Sequence, residues 1–349
     1  MKNLIVYFKL FLVAFLFLPV LACNHHPPRQ EVMPVILLIN HYPIWSEDKE
    51  FFKRINPYGF LLSIPKHPDM DPNKLRLELE EVLGRKDFLF FLDQEGGSVN
   101  RLKQFNKDFQ SPSASSYGLM AKKDLKQAIS EARKEGARTG RELKKFSIDV
   151  VFAPVADTIE SDNVPRRERY YSTDPHITKA LADAFAQGIA SEGVTPCYKH
   201  FPGFVTREDP HNTQPKIYAR VEKILSKVYP AFSEAKKYGC LMPGHAIYPE
   251  LDQKNTSTYS ESFYLFMRES LHFDGIVITD ALNMKAAGGP HIFDLGERMN
   301  KALAAGADVV IPLFAFHEPV EIMEAKIRQI DPKYIKRFQS RVHLLKRRN

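Results

Sequence analysis

The sequence has few cysteines and no apolar run long enough to cross a membrane. It contains 3 cysteines among 349 residues. A chain of this length can bury a substantial core, so folding requires neither disulfides nor a structural metal. A membrane-spanning helix needs roughly 20 consecutive apolar residues, and no run is that long. The glycine and proline content is ordinary, which indicates a globular protein rather than a disordered or fibrous one.

Several functional motifs are also missing. The sequence shows no internal repeat. It has no metal-ligand spacing and no nucleic-acid-binding motif, so we expect neither a metal nor a nucleic-acid partner. We also expect no organic cofactor. The net charge is +7. The basic residues of the chain are scattered along predicted helices, which indicates a solvated surface. The alternative is that they bind an anionic partner, such as a wall polymer or a lipid surface. We expect a monomer.

The N-terminus has the pattern of an export signal. Lys2 and Lys9 precede an apolar run of about a dozen residues, which ends at Ala22 before Cys23. A cysteine after a small residue resembles a bacterial lipobox, in which the thiol of Cys23 would receive a lipid. We expect residues 1–22 to be a signal peptide, residues 23–34 a lipidated tether, and the protein to be exported and anchored to the cell envelope. A plain secretory signal and an uncleaved anchor are the alternatives.

The remaining cysteines, Cys197 and Cys240, lie in predicted strands beside apolar residues. Two buried thiols that behave as small hydrophobic side chains are the favoured interpretation. A disulfide between them is the alternative, because the sequence does not determine the distance between the two residues.

Eight apolar runs alternate with amphipathic segments over residues 35–349. Within each run the apolar residues are consecutive and do not alternate with polar ones, as expected for strands covered on both faces. The runs are Val35–Asn40, Gly59–Pro65, Asp87–Glu95, Asp149–Asp157, Thr195–Phe201, Cys240–Ile247, Gly275–Ala281 and Asp308–Leu313. Eight alternations predict an α/β fold, a single-domain (β/α)8 TIM barrel, rather than a doubly wound sheet. Two further helices, around Val320–Gln329 and Lys333–Lys346, are predicted after the last strand.

Charged residues stand at the ends of five successive predicted strands. Catalytic groups of TIM barrels project from the C-terminal ends of strands. The residues are Asp93 and Glu95, Asp157, Lys199 and His200, His245, and Asp280. A buried strand end does not tolerate a charge without a partner, so five such ends indicate a shared functional site.

Five segments, in order, resemble the signatures of glycoside hydrolase family 3. Two of them read D-Q-E-G-G and K-H-F-P-G, and a third reads T-D-A-L-N-M around Asp280. The segments are Phe91–Leu102, Phe152–Asp157, Lys199–Gly203, Met242–His245 and Gly275–Met284. One such motif alone would be weak evidence, whereas five in sequence are strong.

The resemblance implies a retaining exo-glycosidase that releases terminal β-linked N-acetylglucosamine from cell-wall or related glycans. The family's β-N-acetylglucosaminidases are often one barrel, with a histidine acid/base on the loop after strand five. Asp209 and His211 match that dyad, although Phe204-Val205 and Pro210 replace the usual residues around it. An ordinary surface turn is the alternative for this segment. In the resemblance, Asp280 is the nucleophile and forms a covalent glycosyl intermediate.

The other strand-end residues match sugar-binding positions of the family. These substrate-binding candidates are Asp93, Arg101, Arg169, Lys199 and His200. Their alternative role is a buried ion-pair network that only stabilises the barrel. That alternative applies most strongly to Glu95 and Asp157, which we leave out of the direct site.

Two competing functions remain at this point. The first is a β-glucosidase-type hydrolase of the same family whose acid/base is not His211. The second is a non-catalytic lipoprotein that binds glycans, which the altered loop around Asp209 favours. The acidic and basic strand-end residues oppose the second, because a chain released from catalysis has no physical reason to keep costly buried charges.

Overall fold

The computed structural model describes residues 31–63, 70–205, 213–288, 295–314 and 318–345. The expected signal peptide, the lipidation site Cys23 and the dyad of Asp209 and His211 lie outside the described residues. Residues 31–349 belong to one compact unit.

Strands and helices alternate along the chain. The strands are β1 (Met33–Ile39), β2 (Pro57–Leu62), β3 (Leu89–Leu92), β4 (Gln94–Gly96), β5 (Val99–Asn100), β6 (Val150–Val151), β7 (Thr158–Ile159), β8 (Thr195–Pro196), β9 (Tyr198–Phe201), β10 (Phe204–Val205), β11 (Cys240–Pro243), β12 (Ile276–Ala281) and β13 (Val309–Ile311). The helices are α1 (Ser46–Ile55), α2 (Pro72–Leu83), α3 (Ala114–Ala121), α4 (Leu125–Lys145), α5 (Pro175–Ser191), α6 (Val221–Phe232), α7 (Glu261–Glu269), α8 (Leu295–Ala305), α9 (Val320–Ile327) and α10 (Pro332–Arg341).

The main sheet is a closed parallel barrel. Its strand order is β8-β6-β3-β2-β1-β13-β12-β11-β9. The first and last members, β8 and β9, are two parts of one path through residues 195–201, and they are separated only at Cys197. Since β8 pairs with β6 and β9 pairs with β11, this single path closes the ring. Eight strand positions therefore form the barrel, and the TIM-barrel prediction is confirmed.

The barrel interior is an aromatic and aliphatic core. Phe91 and Phe152 stack with ring centroids 5.4 Å apart, and Tyr58 packs edge-on against Phe338 at 5.0 Å. The hydroxyl of Tyr58 donates to the carbonyl of Leu345 at 2.7 Å. Because Tyr58 is near the start of β2, the C-terminal segment closes the N-terminal end of the barrel. The opposite end, where the strands finish, is left for a site.

Glycines allow α4 and α5 to pack closely outside the barrel. A Cβ atom on Gly136 of α4 would lie 2.1 Å from the carbonyl oxygen of Phe185, and one on Gly188 of α5 would lie 2.2 Å from that of Arg133. Each glycine thus lets the backbone of the partner helix approach its own. Larger residues at these positions would push the two helices apart.

Two observed helices, α1 and α3, were not expected from the sequence. α1 has an apolar face of Phe51, Phe52 and Ile55, with acidic residues in its first turn and basic residues in its last turn. Those features are ordinary helix signals. Several observed strands are shorter than their apolar runs; for example, β6 ends before Pro154, which has no N–H to donate to a ladder.

Cys197 and Cys240 form a disulfide, so the favoured interpretation as two free thiols is wrong. Their Cα atoms lie 4.6 Å apart. Tyr198 is in register with Leu241 on the neighbouring strand, which places the two preceding cysteines side by side in the barrel interior. The deciding quantity is strand register, which cannot be read from local sequence. Within the described residues, no helix has the length and apolarity to cross a membrane.

Candidate active site

A cleft opens where the barrel strands end. Polar side chains from β9, β12 and the segments after β3 and β6 line its floor. Apolar walls are formed by Tyr170, Ile217, Tyr248 and Met284. The site candidates that line this cleft are Asp93, Arg101, Arg169, Lys199, His200 and Asp280. The fold thus brings together every candidate that lies within the described residues, Cys23 and the dyad being outside them.

Asp280 stands at the end of β12, with its carboxylate at the cleft. Its Oδ1 atom accepts the backbone N–H of Ala281 at 2.7 Å. Burial by itself would raise the pKa of this carboxyl, but attraction to His200 and His245, the Ala281 hydrogen bond and attraction to Lys199 outweigh it. The pKa of Asp280 therefore lies below its ordinary value, and the group is ionised at neutral pH.

Lys199 joins two carboxylates at the floor of the cleft. It is 3% exposed, and its Nζ lies 2.7 Å from Oδ1 of Asp93 and 2.7 Å from Oε1 of Glu95. Glu95 also accepts two hydrogen bonds from Arg169, at 2.7 and 2.8 Å. Burial favours the protonated form of Glu95, yet the charges of Lys199 and Arg169 hold its pKa well below the usual range. These four residues form an ionised network.

Asp93 is the most exposed carboxylate of the network. The side chain of Asp93 is 34% exposed, whereas those of Lys199 and Glu95 are each 4% exposed. Asp93 thus has free acceptor capacity at the cleft surface, which suits a sugar hydroxyl. Glu95 borders the cleft as well, but its oxygens are occupied by Arg169 and Lys199, consistent with leaving it out of the direct site.

His200 is held by Asp157. The Nδ1 atom of His200 lies 2.7 Å from Oδ2 of Asp157, and its backbone N–H donates to Oδ1 at 2.8 Å. Because a carboxylate can only accept, Nδ1 carries the proton and Nε2 is left as the other functional atom of the ring. Asp157 thus supports a candidate ligand-binding histidine.

Sequence reasoning missed part of the cleft. Arg166, Tyr170, Ile217, Tyr248 and Met284 line it but had not been assigned to the site. Met284 lies just after β12, but the other four lie further along the loops, where position relative to a strand end does not identify them. His245 was noted at a strand end but not assigned to the site; it also lines the cleft.

The described residues on the two sides of the segment that contains Asp209 and His211 are near the cleft. Before it, β10 (Phe204–Val205) pairs with β7, which directly follows Asp157. After it, Pro215 and Ile217 line the cleft wall. Within the described ranges, no group of three or more histidine, cysteine or acidic side chains has the geometry of a metal site.

Comparison with known proteins gives a family match over most of the chain. The model described as glycosyl hydrolase family 3 N terminal domain matches residues 73–342. A β-hexosaminidase of Psychromonas ingrahamii is 32% identical over 285 residues, which cover 80% of this chain and 82% of that protein. A β-hexosaminidase of Pseudomonas aeruginosa is 33% identical over 227 residues, or 64% of this chain and 66% of that protein.

Solved structures share the fold. NagZ from Neisseria gonorrhoeae, in complex with N-trifluoroacetyl-D-glucosamine, superposes with a TM-score of 0.76 at 23% identity, covering 91% of each chain. A family 3 β-N-acetylglucosaminidase from Paenibacillus has a TM-score of 0.76 at 24% identity, covering 89% of this chain. This chain spans 60% of the length of the Paenibacillus protein.

Proposed function

The chain belongs to glycosyl hydrolase family 3, and from that premise we propose that it is an exo-acting β-N-acetylglucosaminidase of cell-wall or related glycans. The relatives named β-hexosaminidase support this activity, since one of them matches four fifths of the chain. The supporting observation in the site is an ionised carboxylate, Asp280, beside a floor of hydroxyl-binding groups.

The geometry suits a retaining mechanism. The bond to the leaving sugar breaks through a transition state with positive charge on the sugar ring, which an ionised carboxylate stabilises. Asp280 would then bond to the anomeric carbon and form a covalent glycosyl-enzyme. The end of a barrel strand is a rigid support, so the carboxylate is positioned before substrate arrives.

Asp93, Lys199 and His200 would orient the sugar. Asp93 offers acceptor oxygens, Lys199 donates, and His200 presents Nε2 because its Nδ1 is held by Asp157. Arg169 pairs with Glu95, which in turn pairs with Lys199, and these contacts hold Lys199 in place. Arg101 is exposed at the rim and would contact the sugar from the side of β4 and β5.

The proton for the leaving group would come from His211, with Asp209 orienting its ring. Before this segment β10 pairs with the strand that follows Asp157, and after it Pro215 lines the cleft, which supports the assignment. A histidine suits the task because its ordinary pKa of about 6.5 lies near neutral pH. Water would enter after the leaving group departs and release the sugar from Asp280.

The test is a comparison of aryl substrates with a nucleophile variant. Wild-type protein should hydrolyse an aryl N-acetyl-β-glucosaminide and leave the matching aryl β-glucoside largely intact. Asp280→Asn keeps the shape but removes the charge, so turnover should fall by at least about 10³-fold while sugar binding persists. A fluorinated sugar should label Asp280. Preference for the glucoside would favour the glucosidase alternative, and no turnover of either would favour the glycan-binding one.

We also propose that the protein is exported and held at a membrane by lipid on Cys23. The pattern of residues 1–23 supports this, and so does the disulfide between Cys197 and Cys240, because such bonds persist mainly outside the reducing cytosol. Full-length protein should partition into detergent, and Cys23→Ala should release it or block processing. Recovery of unprocessed wild-type protein from the cytosol would contradict the proposal.

A further inference from the structure

His245 lies beneath the cleft, next to Asp280, and has no role in the mechanism above. It is 3% exposed and follows β11. Its Nε2 atom lies 3.0 Å from the carbonyl oxygen of Ala281, the residue whose N–H binds Asp280. A carbonyl oxygen can only accept, so Nε2 must carry a proton.

The other ring nitrogen is satisfied by Thr258. The Oγ1 atom of Thr258 lies 2.9 Å from Nδ1 of His245 and 2.7 Å from the carbonyl of Gly244. Ser257 also donates to that carbonyl, at 2.7 Å. The single hydroxyl proton of Thr258 is directed at the Gly244 carbonyl, so its contact with Nδ1 fixes the orientation of the ring and leaves Nε2–H to bind Ala281.

Within the described part of the chain, three ionisable groups surround the ring of His245. They are Asp280 on β12, His200 on β9 and Arg298 on α8. Burial lowers the pKa of His245, and Asp280 opposes this shift only in part. The ring in turn helps to hold the pKa of Asp280 below its ordinary value.

The whole segment after β12 is held by side-chain donors. Arg298 donates to the carbonyls of Leu282 and Gly288, both at 2.9 Å, and Tyr259 donates to that of Ala287 at 3.0 Å. His245 holds the first carbonyl of this series, at the residue adjacent to Asp280. Loss of that contact would free the peptide next to the carboxylate, whereas loss of the Tyr259 contact would act at the far end.

We propose that His245 is a positioning residue for the nucleophile: its ring, fixed by Thr258, donates to the Ala281 carbonyl and thereby holds the carboxylate of Asp280. This inference rests on the proposed function for its effect on turnover. It extends that function, because the ring acts on the reaction through Asp280 and not by contact with the sugar.

Three variants test the proposal. His245→Gln keeps an N–H donor near the Nε2 position, and His245→Phe keeps a flat ring but has no donor. His245→Phe should lower kcat by roughly 10²-fold with little change in KM, because a misplaced nucleophile slows bond formation more than sugar binding. His245→Gln should retain most of kcat. Tyr259→Phe is the matched control and should change the melting temperature but not kcat.

The pH profile separates positioning from charge effects. Because positioning depends on the N–H donor, His245→Gln should retain kcat at the pH optimum even if the acid limb of kcat/KM moves. Loss of kcat in His245→Gln together with an acid limb at higher pH would mean that the charge of the ring is what acts on Asp280, and the proposal would be wrong. Equal losses in the Gln and Phe variants would also overturn it, since the donor would then be irrelevant.

A measurement without substrate keeps the two proposals distinguishable. In wild-type protein with ¹⁵N-labelled histidine, the ring of His245 should show a protonated Nε2 at neutral pH, assigned by comparison with His245→Gln. An unprotonated Nε2 would overturn the inference whatever the turnover. Absence of wild-type turnover on N-acetylglucosaminides, with Nε2 protonated, would instead contradict the proposed function.

Discussion

Asp157 binds His200 through both oxygens, one to the ring Nδ1 at 2.7 Å and one to the backbone N–H at 2.8 Å. Asp157 is 3% exposed, so water does not compete for these bonds. The pair fixes both the position and the tautomer of a histidine at the floor of the cleft. Sequence reasoning placed Asp157 outside the direct site, and its contacts agree with a supporting role.

Asp157→Asn should therefore reduce activity without removing a group that touches substrate. The amide would present N–H donors where Nδ1–H now donates, so the ring must change tautomer or lose the bond. We expect kcat/KM for an aryl N-acetylglucosaminide to fall roughly 10- to 100-fold, the scale of a lost hydrogen bond to a charged group. Steady-state kinetics beside a melting curve would measure it. Unchanged kinetics in a folded variant would show that the His200 tautomer is unimportant.

The ion pairs of Glu95 should make the free energy of unfolding depend on pH in the acid range. The pKa of Glu95 is lowered in the folded state, so its contribution is fully present above the unfolded-state pKa of about 4.3 and is lost as the pH falls towards the folded value. Glu95→Gln removes one partner of a buried ionic network and should cost about 3–5 kcal/mol at neutral pH.

The measurement is the free energy of unfolding by denaturant between pH 3 and pH 7. The difference between wild type and Glu95→Gln should shrink as the pH falls below the unfolded-state pKa of about 4.3. Exposed Glu131 forms a surface pair with Lys134, so Glu131→Gln is a suitable control and should change stability by no more than about 1 kcal/mol. A pH-independent difference for Glu95→Gln would mean that its charge is not what stabilises the fold.

His211 should matter most for substrates with poor leaving groups. General acid catalysis contributes roughly 10²–10⁴-fold, so His211→Ala should slow hydrolysis of a disaccharide by that order. An aryl sugar with an acidic phenol needs little help from a proton donor, so formation of its glycosyl-enzyme should be much less affected. Asp209→Asn should show a milder version of the same pattern. Equal slowing of both substrates would indicate that His211 serves binding instead.

Loss of the disulfide should destabilise the barrel. Cys197 and Cys240 are separated by 43 residues in the sequence, and the chain-entropy model gives about 4 kcal/mol for closing a loop of that size. The double variant Cys197→Ala/Cys240→Ala should unfold at lower denaturant concentration than the wild type under non-reducing conditions. In the presence of a thiol reductant, the wild-type protein should unfold at a denaturant concentration close to that of the double variant. Equal stability of the two proteins without reductant would show that the bond contributes nothing.

Much of the fold was predictable because it depends on local pattern. Buried parallel strands are continuous apolar runs, and the amphipathic pattern over residues 125–145 predicts the helix that is observed there as α4. Strand lengths were less predictable. The run from Asp149 to Asp157 contains only two residues of regular strand, because Pro154 cannot donate to a neighbour.

The charged residues at the floor of the cleft were also predictable, but their separate roles were not. Asp93 and Glu95 are two residues apart and chemically similar. In the structure, Glu95 is held by Arg169 and Lys199, whereas Asp93 keeps an exposed carboxylate at the cleft. Burial and partner geometry separate them, and both come from residues distant in the chain. Sequence spacing contains neither quantity.

The sequence by itself determined the barrel class, the family and the chemical groups at the strand ends, because each depends on residue type and order. The tertiary structure alone decided which pairs meet: Cys197 with Cys240, His200 with Asp157, and His245 with the peptide beside Asp280. Each pairing depends on the register of neighbouring strands and on side-chain direction to within about an ångström. Those distances are set when the ring of strands closes, and no local pattern encodes them.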